Sequence, residues 1–135
     1  MAHWLLKTEP EEFSWDDQVK NKVEPWTGVR NAQARNFMQQ MKVGDQAFFY
    51  HTGDEKRIVG IVEVAHAYYP DPEDETGRWG HVDVRTVKPV PKPVTLAQIK
   101  AEPKLADILL VRHSRLSVMP IDDKAWALIC KMAGL

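Results

Sequence analysis

Residues 26–36, WTGVRNAQARN, place one tryptophan, one glycine, two arginines, two asparagines and a glutamine within eleven positions. Planar faces and forked donors of this kind suit recognition of a flat ligand with hydrogen-bonding edges. Three more stretches set polar groups beside aromatic or aliphatic ones: LLKTEP (5–10), FFYHT (48–52) and VRHSRLSV (111–118). In such a set Trp26 or Tyr50 supplies a stacking face, worth about 1–3 kcal/mol per base. Asn31, Thr8 or main-chain groups read the edge, and Arg30 or Arg112 holds a phosphate. A nucleobase turned out of its stack is recognised by this combination. Each cluster also has a plainer reading: Trp26 caps the core, Arg30 and Arg35 form surface ion pairs, and Tyr50 and His51 end a strand. Four clusters near strand ends or helix starts favour convergence on one concave site, because buried polar groups need partners.

Other chemistries lack their residues. The five histidines (His3, His51, His66, His81, His113) stand without a metal-ligating partner at close spacing, so no metal site is expected. His81 and Asp83 share one strand face, which alone is too little. The single cysteine, Cys130, has no internal disulfide partner; it lies in apolar ALICKMA and reads as packing in a reducing compartment. No GxGxxG, P-loop or GxSxG motif is present, so no nucleotide cofactor or serine nucleophile is expected. The acidic PEDETG run reads as a solvated loop. The longest early apolar run is three residues, far short of a secretory core or membrane span, which predicts a protein that is not secreted and sits in cytoplasm or nucleus. With 18 basic and 19 acidic residues the net charge is −1, so a nucleic acid would have to be held locally, on a patch or in a pocket.

The elements that must position these residues are legible as a pattern. The 135 residues fit one domain, 1–135, with a sizeable core. HWLLKT predicts a first strand stopped by Pro10. SWDDQVKN predicts a helix capped by Ser14 with Asp17 three residues on, followed by a turn from Pro25 to Gly28. Ala34, Phe37, Met38 and Met41 recur at helical spacing after Asn31. QAFFYHT and RIVGIVEVAHAYY predict strands, the second of them buried. WGHVDVRTVKPV alternates Val82, Val84 and Val87 until the stiff PVPKPV ends the ladder. TLAQIKA carries a capping box, SRLSVMPI returns as strand, and DDKAWALICKMAGL predicts a helix with Ala125, Trp126, Ile129 and Met132 or Ala133 along its stripe. Short strands interrupted by brief helices suggest an α+β fold built on a closed or partly closed barrel.

At these same segments the chain resembles the EVE domain family. The resemblance runs through WLLKTEP, the W-x-GVRNxQARNF stretch with MKVGDQAFFYH behind it, AYYPD, VDV, TLAQIK and RLSVMPI. Thr8 and Thr52 keep a hydroxyl where the family usually has serine, whereas Thr27 replaces a usual aspartate. The segment between residues 71 and 79 is shorter than in eukaryotic members. The resemblance implies a PUA-like fold, a small mixed β barrel of about five to six strands with surrounding helices. It implies a nucleic-acid ligand carrying a modified base, with 5-methylcytosine or 5-hydroxymethylcytosine in DNA foremost and RNA the alternative. The pocket it implies is lined by Lys7, Thr8 and Glu9; by Trp26, Gly28, Val29, Arg30 and Asn31; by Tyr50 and His51; and by Arg112, Ser114, Leu116 and Ser117. Arg35 and Asn36 would support the loop. It further implies a cytoplasmic, bacterial-type single-domain protein needing no cofactor. Poor binding to unmodified duplex is expected, since turning a base out costs a few kcal/mol.

Two rivals belong to other classes. PUA-like relatives of the ASCH type include amidohydrolases acting on acylated nucleosides, and KTE sets Lys7 and Glu9 on one strand side, where a lysine neutralised by burial could act as nucleophile or base. An ordinary Lys7–Glu9 ion pair is the simpler reading. A protein-docking module would instead show a contiguous apolar surface patch.

Overall fold

The computed structural model describes residues 2–135. Strand β1 (His3–Thr8) pairs in parallel with β3 (Gln46–His51) on one side and antiparallel with β6 (Val118–Ile121) on the other. Flanked on both edges and covered on both faces, β1 carries the continuous apolar run Trp4-Leu5-Leu6, all buried. The sheet continues from β3 into β4 (Arg57–Pro70), then β5 (Gly80–Thr95), and ends at β2 (Val23–Pro25), giving the order β2-β5-β4-β3-β1-β6. The fold is therefore mixed α+β with six strands, and the ladder is barrel-like but not closed, because β2 and β6 are its two ends. Repeated register shifts along the β4–β5 pair supply the curl.

Several elements match the sequence expectations residue for residue. Helix α1 (Trp15–Asn21) has the capping box between Ser14 and Asp17. In α2 (Ala32–Gln40) Asn31 is the N-cap, its side chain accepting from the Ala34 N–H at 2.9 Å, and Met41 falls just past the last turn yet stays buried. Helix α3 (Leu96–Ala101) has the Thr95–Gln98 capping box, and α5 (Asp123–Met132) buries Ala125, Trp126 and Ile129, with Ala133 just beyond it. Trp126 stacks on Phe48 at 3.9 Å and on His3 at 4.2 Å, fastening α5 to the sheet. Short α4 (Leu109–Arg112), a 3-10 turn at Pro103–Leu105 and strand β2 carry no clear periodicity and were not expected.

Two expectations are corrected. PVPKPV does not end the ladder: β5 continues to Thr95, where Ile58 pairs with Val94 and Gly60 with Pro89. Beyond Arg85 the outer edge of β5 has no partner strand, so prolines lose no ladder bond there, and the intervening residues bulge until the Lys92 N–H reaches the Ala133 carbonyl at 3.0 Å. Val87 accordingly points outward while Val90 and Val94 are buried. The second correction concerns β4, which is buried only in its first half; its far end, from Ala65 to Pro70, leaves the core. Among the described residues no helix is long and apolar enough to cross a membrane.

Candidate functional site

The end of β1 and the irregular segment between β2 and α2 enclose a hollow of about 510 Å³. β1 contributes Lys7, Thr8 and the adjoining Glu9; the segment after β2 contributes Trp26, Thr27, Gly28, Val29 and Arg30; Ser117 enters from the start of β6. Eight residues expected to share a pocket are thus together: Lys7, Thr8, Glu9, Trp26, Gly28, Val29, Arg30 and Ser117. Glu12, Phe13, Glu24 and Pro25 also line the hollow and were not anticipated. Phe13 lies in the turn before the Ser14 cap, and nothing in the local pattern marks Glu12 or Glu24.

The walls are mostly fixed by their own contacts. Trp26 is 6% exposed and packs edge-on against Phe49 at 5.5 Å and Phe13 at 6.1 Å, so it is a wall of the hollow and not an open platform. Its indole N–H makes no hydrogen bond among the described residues. The Thr8 hydroxyl donates to the Phe13 carbonyl at 2.8 Å, and Lys7 Nζ donates to the Ser114 carbonyl at 2.9 Å. Burial lowers the Lys7 pKa. Glu9 accepts from the Thr52 hydroxyl at 3.3 Å. Lys7 and Glu9 form no ion pair with each other among the described residues, against the simpler expectation for KTE.

Arg30 is tied to a loop that reads as solvated in the sequence. Its Nη2 lies 3.6 Å from a carboxylate oxygen of buried Asp71, and its guanidinium sits 5.8 Å from the Trp79 ring, to which Arg35 also comes within 5.2 Å. Arg35 further donates to the Arg78 carbonyl, so it supports the 71–79 loop and not the 26–31 stretch it was expected to support. The loop is built around Asp74, which accepts from the Thr76 hydroxyl and N–H and from the Trp79 N–H. These bonds, the Thr76 hydroxyl foremost, hold its carboxyl below the usual range. Glu73 and Glu75 do face solvent, as expected of PEDETG.

One stretch of main chain is left open. Among the described residues the N–H groups of Gly28, Val29 and Arg30 make no hydrogen bond. Gly28 has φ +82°, and a Cβ there would meet no atom within 4 Å, so the side of Gly28 that a side chain would occupy is open.

The remaining expected residues lie elsewhere. Asn31, Arg112, Ser114 and Leu116 surround a shallower neighbouring hollow of about 320 Å³, together with Gln33, His113 and Arg115. The Lys7–Ser114 bond joins its rim to the first hollow. Asn31 is occupied as the α2 cap, and Arg112 pairs with Asp107 at 2.9 Å. Tyr50 is buried beneath Lys7, whose Nζ lies 5.7 Å from the ring centroid, and burial pushes its hydroxyl up to about 12. His51 faces a different hollow beside Trp15 and Glu55. Its Nε2 accepts from the Trp15 N–H at 2.9 Å, which assigns the proton to Nδ1, 2.9 Å from Glu55. One ring nitrogen thus ties β3 to the start of α1, and the other ties it to the β3–β4 connection.

The arrangement can hold a flat polar molecule against the wall of Trp26 and Phe13, among carboxylates, unpartnered main-chain N–H groups and Arg30. Similar proteins match nearly the whole of this chain. The EVE domain model matches residues 2–132. Thymocyte nuclear protein 1 of Gallus gallus is 34% identical, over 97% of this chain and 68% of that protein. A solution structure from Rhodopseudomonas palustris superposes with a TM-score of 0.95 at 50% identity, covering 99% of this chain and 94% of that one. Human THYN1 protein, solved in complex with DNA containing 5-methylcytosine, superposes with a TM-score of 0.91 at 30% identity, covering 100% and 99%. An ASCH protein from Zymomonas mobilis, at 12% identity and a TM-score of 0.59, shares the fold alone. On the family model and these relatives, the chain belongs to the EVE domain family.

Proposed function

We propose that this protein binds nucleic acid carrying a modified base and seats that base in the hollow beside Trp26, with 5-methylcytosine or 5-hydroxymethylcytosine in DNA as the ligands of choice. The observation that carries this reading is the run of open N–H groups at Gly28, Val29 and Arg30 beside the aromatic wall of Trp26 and Phe13. Donors fixed by the backbone read a base edge without side-chain ordering, and the apolar wall accepts its ring. The human relative's complex with 5-methylcytosine-containing DNA supports this ligand class. On this reading flanking phosphates meet Arg112 and Arg115, on the rim of the neighbouring hollow.

The test is a titration with single-stranded and duplex oligonucleotides identical except at one cytosine, which is unmodified, 5-methyl or 5-hydroxymethyl. Gly28→Ala runs beside the wild type, since its methyl projects into the open space. One modified form binding about tenfold tighter than cytosine, with that preference reduced in Gly28→Ala, is the expected result. Equal binding of every strand by both proteins overturns the proposal.

A further inference from the structure

The two hollows adjoin, and their common boundary bears on how much of a strand the protein takes, an inference that rests on the base-binding reading above. Arg30 lines the larger hollow and its chain neighbour Asn31 the smaller; Ser117 lines the larger and its neighbour Leu116 the smaller. A third junction is the 2.9 Å bond from Lys7 Nζ, on the wall of the larger hollow, to the carbonyl of Ser114, on the wall of the smaller. The Lys7 ammonium therefore stands where the two spaces meet. Its charge is not neutralised: Arg30 has Asp71 and Arg112 has Asp107, whereas Lys7 forms no ion pair among the described residues. An ammonium carries three donors, and Ser114 takes one of them. Lys7 is also half-buried above the Tyr50 ring, and that burial lowers its pKa. A partly desolvated cation of this kind is stabilised by an anion brought against it. In the smaller hollow Arg115 is exposed and likewise forms no ion pair among the described residues.

We infer that the two hollows are adjoining subsites for consecutive nucleotides of one strand, the modified base in the larger and its neighbour in the smaller, with the phosphodiester between them held by the Lys7 ammonium. A strand repeats one base and one phosphate per nucleotide, so two spaces divided by an unpaired cation match a dinucleotide unit. The charge-assisted bond from Lys7 supplies locally the attraction to phosphate that a net charge of −1 cannot supply over the whole surface. A paired duplex fills both spaces only by turning out two neighbouring nucleotides, each at the cost of unstacking and unpairing; an unpaired strand is spared most of that cost. Lys7 thereby sets both the register of the strand and the preference for its unpaired form.

The test neutralises one phosphate at a time. Single-stranded pentanucleotides carry 5-methylcytosine at the centre, with the linkage on its 5′ side, on its 3′ side or on neither replaced by an uncharged methylphosphonate. For wild type, one replacement should weaken binding about tenfold and the other less than about threefold. Lys7→Gln keeps a donor for the Ser114 carbonyl and loses the charge, and it should bind all three strands within about threefold of one another. Lys124→Gln, exposed on α5, should reproduce the wild-type pattern. An abasic sugar beyond the sensitive linkage should weaken wild type by about threefold or more, and one beyond the other linkage should have no such effect. Equal effects of the two abasic sugars overturn the second subsite. Lys7→Gln weakened equally on charged and neutral strands, with the discrimination intact, marks a structural role only and overturns the assignment to Lys7. Wild type indifferent to both replacements, yet still preferring 5-methylcytosine to cytosine at the centre, overturns the inference and leaves the base reading standing. No preference for 5-methylcytosine over cytosine in any strand removes the base-binding reading, and this inference with it.

Discussion

At the scale of single residues, the site is a compromise between packing and openness. Trp26 reads in sequence either as a stacking face or as a cap on the core, and it is a buried wall held by Phe13 and Phe49. Trp26→Ala should therefore destabilise the protein by about 3–5 kcal/mol, the range for large aromatic truncations, as measured by chemical denaturation. A binding loss in that variant would not separate contact from collapse. Gly28 is the cleaner probe. Its φ of +82° makes Gly28→Ala strained by about 1 kcal/mol, a small stability loss, while the added methyl enters open space in the hollow. Stability nearly kept with modified-base preference reduced is the expected pair of results. His51 belongs to a different account: His51→Ala leaves the buried Trp15 N–H without its acceptor and should cost about 1–3 kcal/mol with base preference unchanged.

At the scale of elements, α1 follows directly on the Glu12–Phe13 turn that lines the hollow, and the loop over residues 71–79 contacts Arg30 through Asp71 and Trp79. α1 docks through Trp15 onto Gly60 of β4, where an added Cβ would lie 2.4 Å from the ring; Gly60→Ala should destabilise by about 1–3 kcal/mol or more in thermal unfolding. The caps are acid-sensitive. Asp17, bonded by Ser14, and Asp74, bonded by Thr76 and Trp79, have folded pKa values below their ordinary ones. Their stabilisation is complete above the ordinary carboxylate range and is lost as pH falls through the depressed values. Unfolding midpoints should drop on acidification through that window, and Asp74→Asn should flatten part of the drop. The sequence made the caps at Ser14-x-x-Asp17 and Thr95-x-x-Gln98 legible because they are local signals, whereas Asn31, read there as a base-edge contact, is the cap of α2. It also marked the residues after β2 and at the end of β1 that line the hollow. It could not mark Glu12 or Glu24, which ordinary surface glutamates resemble, nor decide between the stacking and core readings of Trp26, which long-range packing settles. β5 running through PVPKPV was hidden because proline's tolerance there depends on an unpartnered edge that only the sheet order reveals.

At the scale of the whole molecule, a net charge of −1 rules against binding by a broad electrostatic surface. Few cations stand near the hollow, and Arg30 and Arg112 already have acidic partners. Binding to a single strand should therefore weaken only modestly with salt, with a slope in log affinity against log salt shallower than about −3, at roughly −0.7 per phosphate neutralised. A steep slope would mean a phosphate-driven interface elsewhere on the fold. The central claim is that the open main chain at Gly28, Val29 and Arg30 meets the base, and amide NMR reports on those groups directly. Titrating isotope-labelled protein with a single-stranded oligonucleotide containing 5-methylcytosine should shift the amide signals of Gly28, Val29 and Arg30 and the indole signal of Trp26, well beyond the shifts caused by the unmodified strand. Shifts confined to other faces, such as α3 and α5, with those four signals unmoved, would contradict it.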